Sequence, residues 1–183
     1  MVNLAQHSYF NLSDDIRPTG ILDHTLRIEG DAYTPVDEDL IPLGNLRPVL
    51  GTPFDFTVPK AIGVDIDMEN EQLRNGEGYD HNWVLRGSPG ELRLAARVES
   101  PESRRSMEVF TTEPGIQMYS GNMLDGSVVG KRGVRYERWA GVCLETQHSP
   151  DSPNQKGFPS VLLRPNATYR SITMLRFGIT EVP

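Results

Sequence analysis

Glycine and proline, 17 and 14 of them, recur along this 183-residue chain and leave few uninterrupted runs long enough for a helix. Glycine supplies the positive φ of tight turns, and proline can donate neither to a helix interior nor to a sheet ladder. The pieces between them are short, and several alternate polar and apolar residues with the period of two that a half-buried strand requires. Leu92, Leu94, Ala96 and Val98 make one inward face, with Glu91, Arg93, Arg97 and Glu99 opposite. Tyr169, Thr173, Leu175, Phe177 and Ile179 share another face near the C-terminus. Strands are expected over 2–11, 21–29, 81–86, 91–99, 105–112, 115–120, 134–138, 141–147, 161–164 and 168–179. The less periodic Pro59–Arg74 reads as a helical turn or a loop, and no repeat or low-complexity tract is visible. The fold class is therefore all-β, an antiparallel sandwich or a large barrel.

Composition narrows the partners. A single domain over 1–183 is expected, since a chain this size buries roughly 70% of its unfolded surface. Hydrophobic residues at 37% and a mean hydropathy of -0.42 suit a soluble globular protein. The net charge is -7 with Lys and Arg scattered, which argues against nucleic acid and anionic membranes. No run approaches the ~20 apolar residues of a membrane span, and no signal peptide is visible. Cys143 is the only cysteine, so an intrachain disulfide is ruled out, and a reducing, cytoplasmic location is expected. Strand-like sequence begins at Val2, which reads either as a tidy domain start or as a chain that lacks its front part.

The segment Gly141-Val142-Cys143-Leu144-Glu145-Thr146-Gln147 reads as a strand ended by His148-Ser149-Pro150. Val142, Leu144 and Thr146 then share one face, and Cys143, Glu145 and Gln147 the other. An acid is depleted in strands and costly to bury unpaired, so Glu145 lies either at a wet sheet edge or in a site. His7 shares its face with Asn3, Ala5, Tyr9 and Asn11, which is polar and aromatic rather than core-like. A lone strand histidine is more often structural, and function is the alternative. His24, among Leu22, Leu26 and Ile28, reads as a core or edge histidine. Asp80 follows the Gly76-Glu77-Gly78-Tyr79 turn, where aspartate often bonds local backbone N–H groups. His148 reads as a loop residue capping the turn at Pro150.

If His7 and Glu145 face one cavity, their chemistry is complementary. A glutamate is an ionised base at neutral pH, and a carboxylate neighbour such as Asp80 favours the charged form of an imidazole. Such a pair could protonate one substrate oxygen while deprotonating another, with no metal or cofactor. The histidines and the cysteine show no zinc-like spacing, and no G-x-S-x-G elbow, P-loop or dinucleotide fingerprint occurs.

Six segments, taken in order, carry a resemblance. Asn3-Leu4-Ala5-Gln6-His7-Ser8-Tyr9-Phe10-Asn11-Leu12 resembles the N-L-x-x-H-x-Y-x-N-L segment of the aldose 1-epimerases, or galactose mutarotases. Leu22-Asp23-His24 with Tyr33-Thr34-Pro35-Val36-Asp37 is similar to the family's next strand and turn, and Gly51-Thr52-Pro53-Phe54-Asp55-Phe56 to its G-T-P-x-D-F turn. Tyr79-Asp80-His81-Asn82-Trp83-Val84-Leu85 is similar to its Y-D-H-N-x-V-L strand. Glu113-Pro114-Gly115-Ile116-Gln117-Met118-Tyr119-Ser120-Gly121-Asn122 resembles its E-P-G-x-Q-x-Y-T-x-N segment, and Cys143-Leu144-Glu145-Thr146-Gln147 its C-L-E-T-Q strand.

The resemblance implies an antiparallel β-sandwich of the galactose-mutarotase type and interconversion of the α and β anomers of a free aldose such as galactose or glucose. It implies His7 as the acid that protonates the ring oxygen and Glu145 as the base that takes the anomeric proton, with Asp80 and Gln117 holding sugar hydroxyls. The small-molecule sugar is the partner it implies. It also implies a chain corresponding to the family's C-terminal half, since members are roughly twice as long and draw an arginine and a second histidine from their N-terminal half. On that reading the sandwich is incomplete at its N-terminal side. It should expose apolar edges, tend to self-associate or pair with the missing half, and turn over poorly alone. The other function classes are a non-catalytic carbohydrate-binding sandwich and a relative acting on hexose 6-phosphate, which needs a cationic pocket.

Overall fold

Short antiparallel strands make up nearly all the regular structure in the computed structural model, which describes residues 1–15 and 20–180. Among the described residues there are 11 strands: β1 Tyr9–Phe10, β2 Thr25–Ile28, β3 Gly30–Thr34, β4 Arg47–Pro48, β5 Lys60–Ala61, β6 Asp80–Leu85, β7 Arg93–Glu99, β8 Arg105–Thr111, β9 Gly115–Tyr119, β10 Val142–Gln147 and β11 Thr173–Ile179. One six-stranded sheet runs β1-β10-β9-β6-β3-β4, and a five-stranded sheet runs β11-β8-β7-β2-β5. Every strand pair is antiparallel. The all-β expectation holds. Within Pro59–Arg74 lie a 3₁₀ turn, Ile62–Val64, and the start of a one-turn helix, α1 Glu71–Asn75, capped by the Asn70 side chain. No helix among the described residues is long and apolar enough to cross a membrane.

The core lies between the sheets. Ile116, Met118, Val142, Leu144 and Trp83 enter it from the first, and Leu26, Ile28, Val98, Met107 and Val109 from the second, all fully buried. Next to the Gly51–Phe56 turn an aromatic cluster forms. Phe54 stacks on Tyr33 at 4.3 Å, and its carbonyl accepts the Trp83 indole N–H at 3.1 Å. His81 belongs to this cluster, 4.7 Å from the Phe54 ring, and burial drives its pKa down to about 3. His24 is likewise buried: the Leu12 N–H donates to its Nε2 at 3.0 Å, and its Nδ1 lies 2.9 Å from Asp23 Oδ1.

Several expected strands differ, for identifiable reasons. Of 2–11 only Tyr9–Phe10 pairs; upstream, the Gln6 side-chain amide donates to the Leu144 carbonyl at 2.9 Å, and Val2 donates to the Val161 carbonyl. The 134–138 strand reduces to a bridge between Val129 and Arg135. The 161–164 piece, flanked by Pro159 and Pro165, forms no ladder. The face expected from Leu92, Leu94, Ala96 and Val98 breaks at a bulge between Leu94 and Ala96, so Leu94 opposes Phe110 while Ala96 and Val98 face the core. β11 begins at Thr173, and Tyr169 lies outside it.

One side of the sandwich is open. β1 and β11 are edge strands of opposite sheets, and Phe10 meets Phe177 across them at 6.1 Å. The register pairs Leu175 with Val109 and Phe177 with Met107, placing them on the core-facing side. Yet Phe177 is 59% and Ile179 73% exposed.

Candidate functional site

Three neighbouring strands of the first sheet, β10, β9 and β6, present a grid of polar side chains on the face turned away from the core. Register pairs Cys143 with Tyr119 and Tyr119 with Asp80, and β1 adds Tyr9 beside Cys143. Two residues along, Glu145 pairs with Gln117 and Gln117 with Asn82. The intervening residues, Leu144, Met118 and His81, point into the core, so the period of two that buries one face builds the other.

His7 stands over this grid. It precedes Tyr9 by two residues, and its Nε2 lies 3.6 Å from Glu145 Oε1. Its Nδ1 lies 3.4 Å from Cys143 Sγ, and the Tyr9 and Tyr119 rings flank it at 5.3 and 6.0 Å. The imidazole is 55% exposed and the glutamate side chain 11%, so an accessible imidazole faces a largely buried carboxyl group. At 3.6 Å the two are too far apart to consume each other's hydrogen-bonding capacity, which leaves each free to address a separate oxygen. Asp80 and Gln117 form a fixed pair: the Gln117 amide donates to Asp80 Oδ1 at 2.7 Å. That bond leaves Gln117 Oε1 without a partner among the described residues, and Asn82 Oδ1 is in the same position. Both are acceptors in a region where an unpaired polar atom is costly.

Burial dominates the electrostatics. It raises the Glu145 carboxyl above the usual range; the His7 side chain opposes this and the Asp80 charge adds to it. Asp80 is raised by burial too, against the Gln117 hydrogen bond and the attraction of His7. Burial, with the charges of Glu145 and Asp80, pushes the Cys143 thiol up to about 12, so it is neutral at physiological pH. The face thus concentrates two carboxyl groups and one imidazole, and among the described residues no Lys or Arg is paired with either acid.

Turn chemistry sets where Asp80 begins its strand. Gly78 has φ +135°, and a Cβ there would meet the Asn122 side chain at 2.5 Å. Asn122 is buried and donates to the carbonyls of Gly76 and Tyr79 at 2.8 and 3.1 Å, stapling the turn to the end of β9.

The four residues singled out from the sequence, His7, Asp80, Gln117 and Glu145, therefore come together on one face. Tyr9, Tyr119, Asn82 and Cys143 join them without having been singled out, although each stands two positions from one that was. His148 does not cap the Pro150 turn. Its Nδ1 lies 2.7 Å from the buried Glu113 carboxylate, which also accepts the Tyr169 hydroxyl at 2.7 Å, and its backbone exchanges hydrogen bonds with the Asn3 side chain. A cavity of about 530 Å³ lined by Tyr9, Asn11, Leu124, Tyr136 and Gly141 among others contains none of the four.

Comparison with known proteins converges on one family. The family model described as aldose 1-epimerase matches residues 1–176. Galactose mutarotase of Homo sapiens is 47% identical over 178 residues, 97% of this chain and 50% of that protein. Aldose 1-epimerase of Escherichia coli is 39% identical over 179 residues, 96% of this chain and 50% of that one. Among solved structures, a GalM/aldose epimerase homologue from C. elegans superposes with a TM-score of 0.84 at 26% identity, covering 98% of this chain and 52% of its own. Galactose 1-epimerase from Lactobacillus acidophilus gives 0.76 at 26% identity, covering 98% and 49%. The chain thus spans about half the length of the relatives it matches, and its sandwich is of the galactose-mutarotase type.

Proposed function

This chain belongs to the aldose 1-epimerase family, and from that premise we propose that it interconverts the α and β anomers of a free aldohexose, such as galactose or glucose. The observation that carries the reading is the pairing of an accessible imidazole with a buried carboxylate, 3.6 Å apart, on one polar sheet face.

In this reading His7 gives a proton to the ring oxygen while Glu145 takes the proton of the anomeric hydroxyl. The bond from C1 to the ring oxygen breaks, and the anomeric C–O becomes the aldehyde carbonyl. Rotation about C1–C2 presents the other face of the carbonyl, and closure returns both protons along the same paths. Nothing is oxidised or reduced, and each proton transfer gains about 10²–10⁴-fold from a positioned group. The raised Glu145 carboxyl suits a base, because proton affinity closer to neutrality strengthens its pull while it is ionised. The Asp80 carboxylate and the free Gln117 oxygen are acceptors for sugar hydroxyls, and their mutual hydrogen bond holds them in place. The chain would act as one domain in the cytoplasm, where a lone cysteine stays reduced.

Polarimetry of freshly dissolved α-glucose and α-galactose tests this. The chain should accelerate the approach to equilibrium rotation, and Glu145→Gln should lower that acceleration by about 10² or more with sugar binding, read by calorimetry, largely kept. Binding without any acceleration by the parent chain would make it a carbohydrate-binding sandwich instead.

A further inference from the structure

We infer that His7, Cys143 and Glu145 form a binding site for a thiophilic divalent cation, zinc or cadmium, and that such an ion blocks the sugar reaction by occupying both proton-transfer groups. One donor atom from each, an imidazole nitrogen, the sulfur and a carboxylate oxygen, lie within 4.8 Å of one another. The sulfur already stands 3.4 Å from His7 Nδ1, and a glutamate oxygen 3.6 Å from His7 Nε2. Metal–sulfur bonds near 2.3 Å and metal–nitrogen or metal–oxygen bonds of 2.0–2.2 Å set tetrahedral donors roughly 3.3–3.7 Å apart. Cys143 and Glu145 supply two fixed donors from one face of β10. Because His7 is more than half exposed, its ring can turn to bring one nitrogen to the same point. A water completes the tetrahedron.

The chemistry of the donors selects the ion. Sulfur and imidazole favour zinc, cadmium and similar metals, whereas magnesium and calcium prefer all-oxygen sites. Charge supplies a second, independent reason. Glu145 and Asp80 are largely buried on this face, and among the described residues neither is paired with an arginine or lysine. A dication adds positive charge beyond the single charge that a protonated His7 can bring to the two acids. On binding, the Cys143 S–H bond breaks, its proton leaves to solvent, and the thiolate electron pair forms the metal bond; the imidazole binds neutral and the carboxylate ionised. No electron transfer is involved. Spacing along the chain hides this site, since position 7 meets 143 and 145 only through the sandwich.

The binding claim stands on geometry; the inhibition claim rests on the proposed sugar reaction. Cadmium titration followed by its ultraviolet thiolate-to-metal charge-transfer band separates them. Cys143 is the only cysteine, so any such band reports this residue. The band should saturate at one ion per chain and be absent from Cys143→Ser. Cadmium affinity should weaken about 10-fold or more in His7→Asn and in Glu145→Gln. Mutarotation should fall in step with the band and return with a chelator. A folded parent chain that gives no band overturns the site, as does a band whose affinity is unchanged in both His7→Asn and Glu145→Gln. A band in a chain that never accelerates mutarotation leaves the metal site standing and removes the sugar reading; acceleration without a band does the reverse.

Discussion

At the scale of single residues, the signs of the two raised carboxyl groups make two predictions. If Glu145 is the base, kcat/KM falls on the acid side as Glu145 takes up a proton, and that limb lies above the ordinary glutamate range because burial, and then Asp80, raise it. Asp80→Asn removes the Asp80 charge, so the limb in a pH–rate profile should move to lower pH; an unmoved limb would separate Asp80 from the base. The second prediction concerns stability. An acid raised in the folded state contributes stability that is full below its unfolded value, ~3.9 for aspartate, and is lost as pH rises through the folded value. Ionised Asp80 therefore penalises the fold near neutrality. Asp80→Asn, whose side-chain oxygen can still accept from Gln117, should melt above the parent at pH 7, with the difference closing toward pH ~3. A variant that melts lower at pH 7 would contradict the burial argument. His7→Asn, which leaves Glu145 in place, should cost turnover about 10²–10⁴-fold by polarimetry, and full activity would require another acid. The gathering of His7, Glu145, Asp80 and Gln117 was legible from alternation and motif together. Tyr9, Asn82, Tyr119 and Cys143 were legible by the same alternation, each being two positions from a chosen residue. The His148–Glu113 contact was not, because it joins a strand end to a turn 35 residues earlier, and no periodicity relates them.

Among elements, legibility tracked uninterrupted apolar–polar alternation. β8, β9, β10 and most of β6 were readable because six or so alternating residues outvote their neighbours. β3, β4 and β5 were not: β4 and β5 have two residues each, β4 contains Pro48, and β3 begins Gly30-Asp31, so partners supplied by tertiary structure make them strands. The bulge in β7 shifts the alternation by one residue at a place where three consecutive apolar residues, Leu94, Ala95 and Ala96, fit either register. Gly115 gives an element-scale prediction. It starts β9 beside Asn82, and a Cβ there would meet Asn82 Oδ1 at 2.7 Å and the Trp83 carbonyl at 3.1 Å. Gly115→Ala should cost about 1–3 kcal/mol in denaturant unfolding, as overpacking does, and disturb the Asn82–Gln117 row. Adding Asn82→Ala should recover part of that loss, because the nearer obstacle is the side chain. A double variant no better than the sum of its parts would place the strain on the backbone.

For the whole molecule, the open side of the sandwich decides behaviour in solution. Leu175, Phe177 and Ile179 hang on the core-facing side of β11; Leu175 packs against the core, and Phe10, from the two-residue β1, reaches across to Phe177. Among the described residues β11 pairs on one side alone, with β8, which leaves a ladder edge along Thr173–Ile179. The flanking charges, Arg176 on Glu108 and Arg97 on Glu108, lie on the outer face, where they neither block that edge nor cover the exposed rings. An unpaired edge beside exposed aromatic and aliphatic groups is a template for a second chain. The chain in isolation should therefore bind a hydrophobic dye such as ANS and sediment with a mass that rises with concentration. Phe177→Ser with Ile179→Ser should lower both signals while leaving the aromatic cluster of Phe54 with Tyr33 and Trp83 intact by near-ultraviolet circular dichroism. The same open side bears on catalysis, because β1 carries Tyr9 against the imidazole of His7 and joins its sheet through two paired residues, Tyr9 and Phe10, the segment before it being tied down through the Gln6 and Asn3 side chains. If His7 is the acid, any play in this segment loses rate steeply, since an error near 1 Å can cost 10²-fold. Turnover by the isolated chain should accordingly be weak and should rise under conditions that pair β1 and β11. A monodisperse monomer without dye binding at every concentration, turning over as fast as a relative of about twice its length such as the human galactose mutarotase, would show that the two-sheet core alone holds His7 and Glu145 in register.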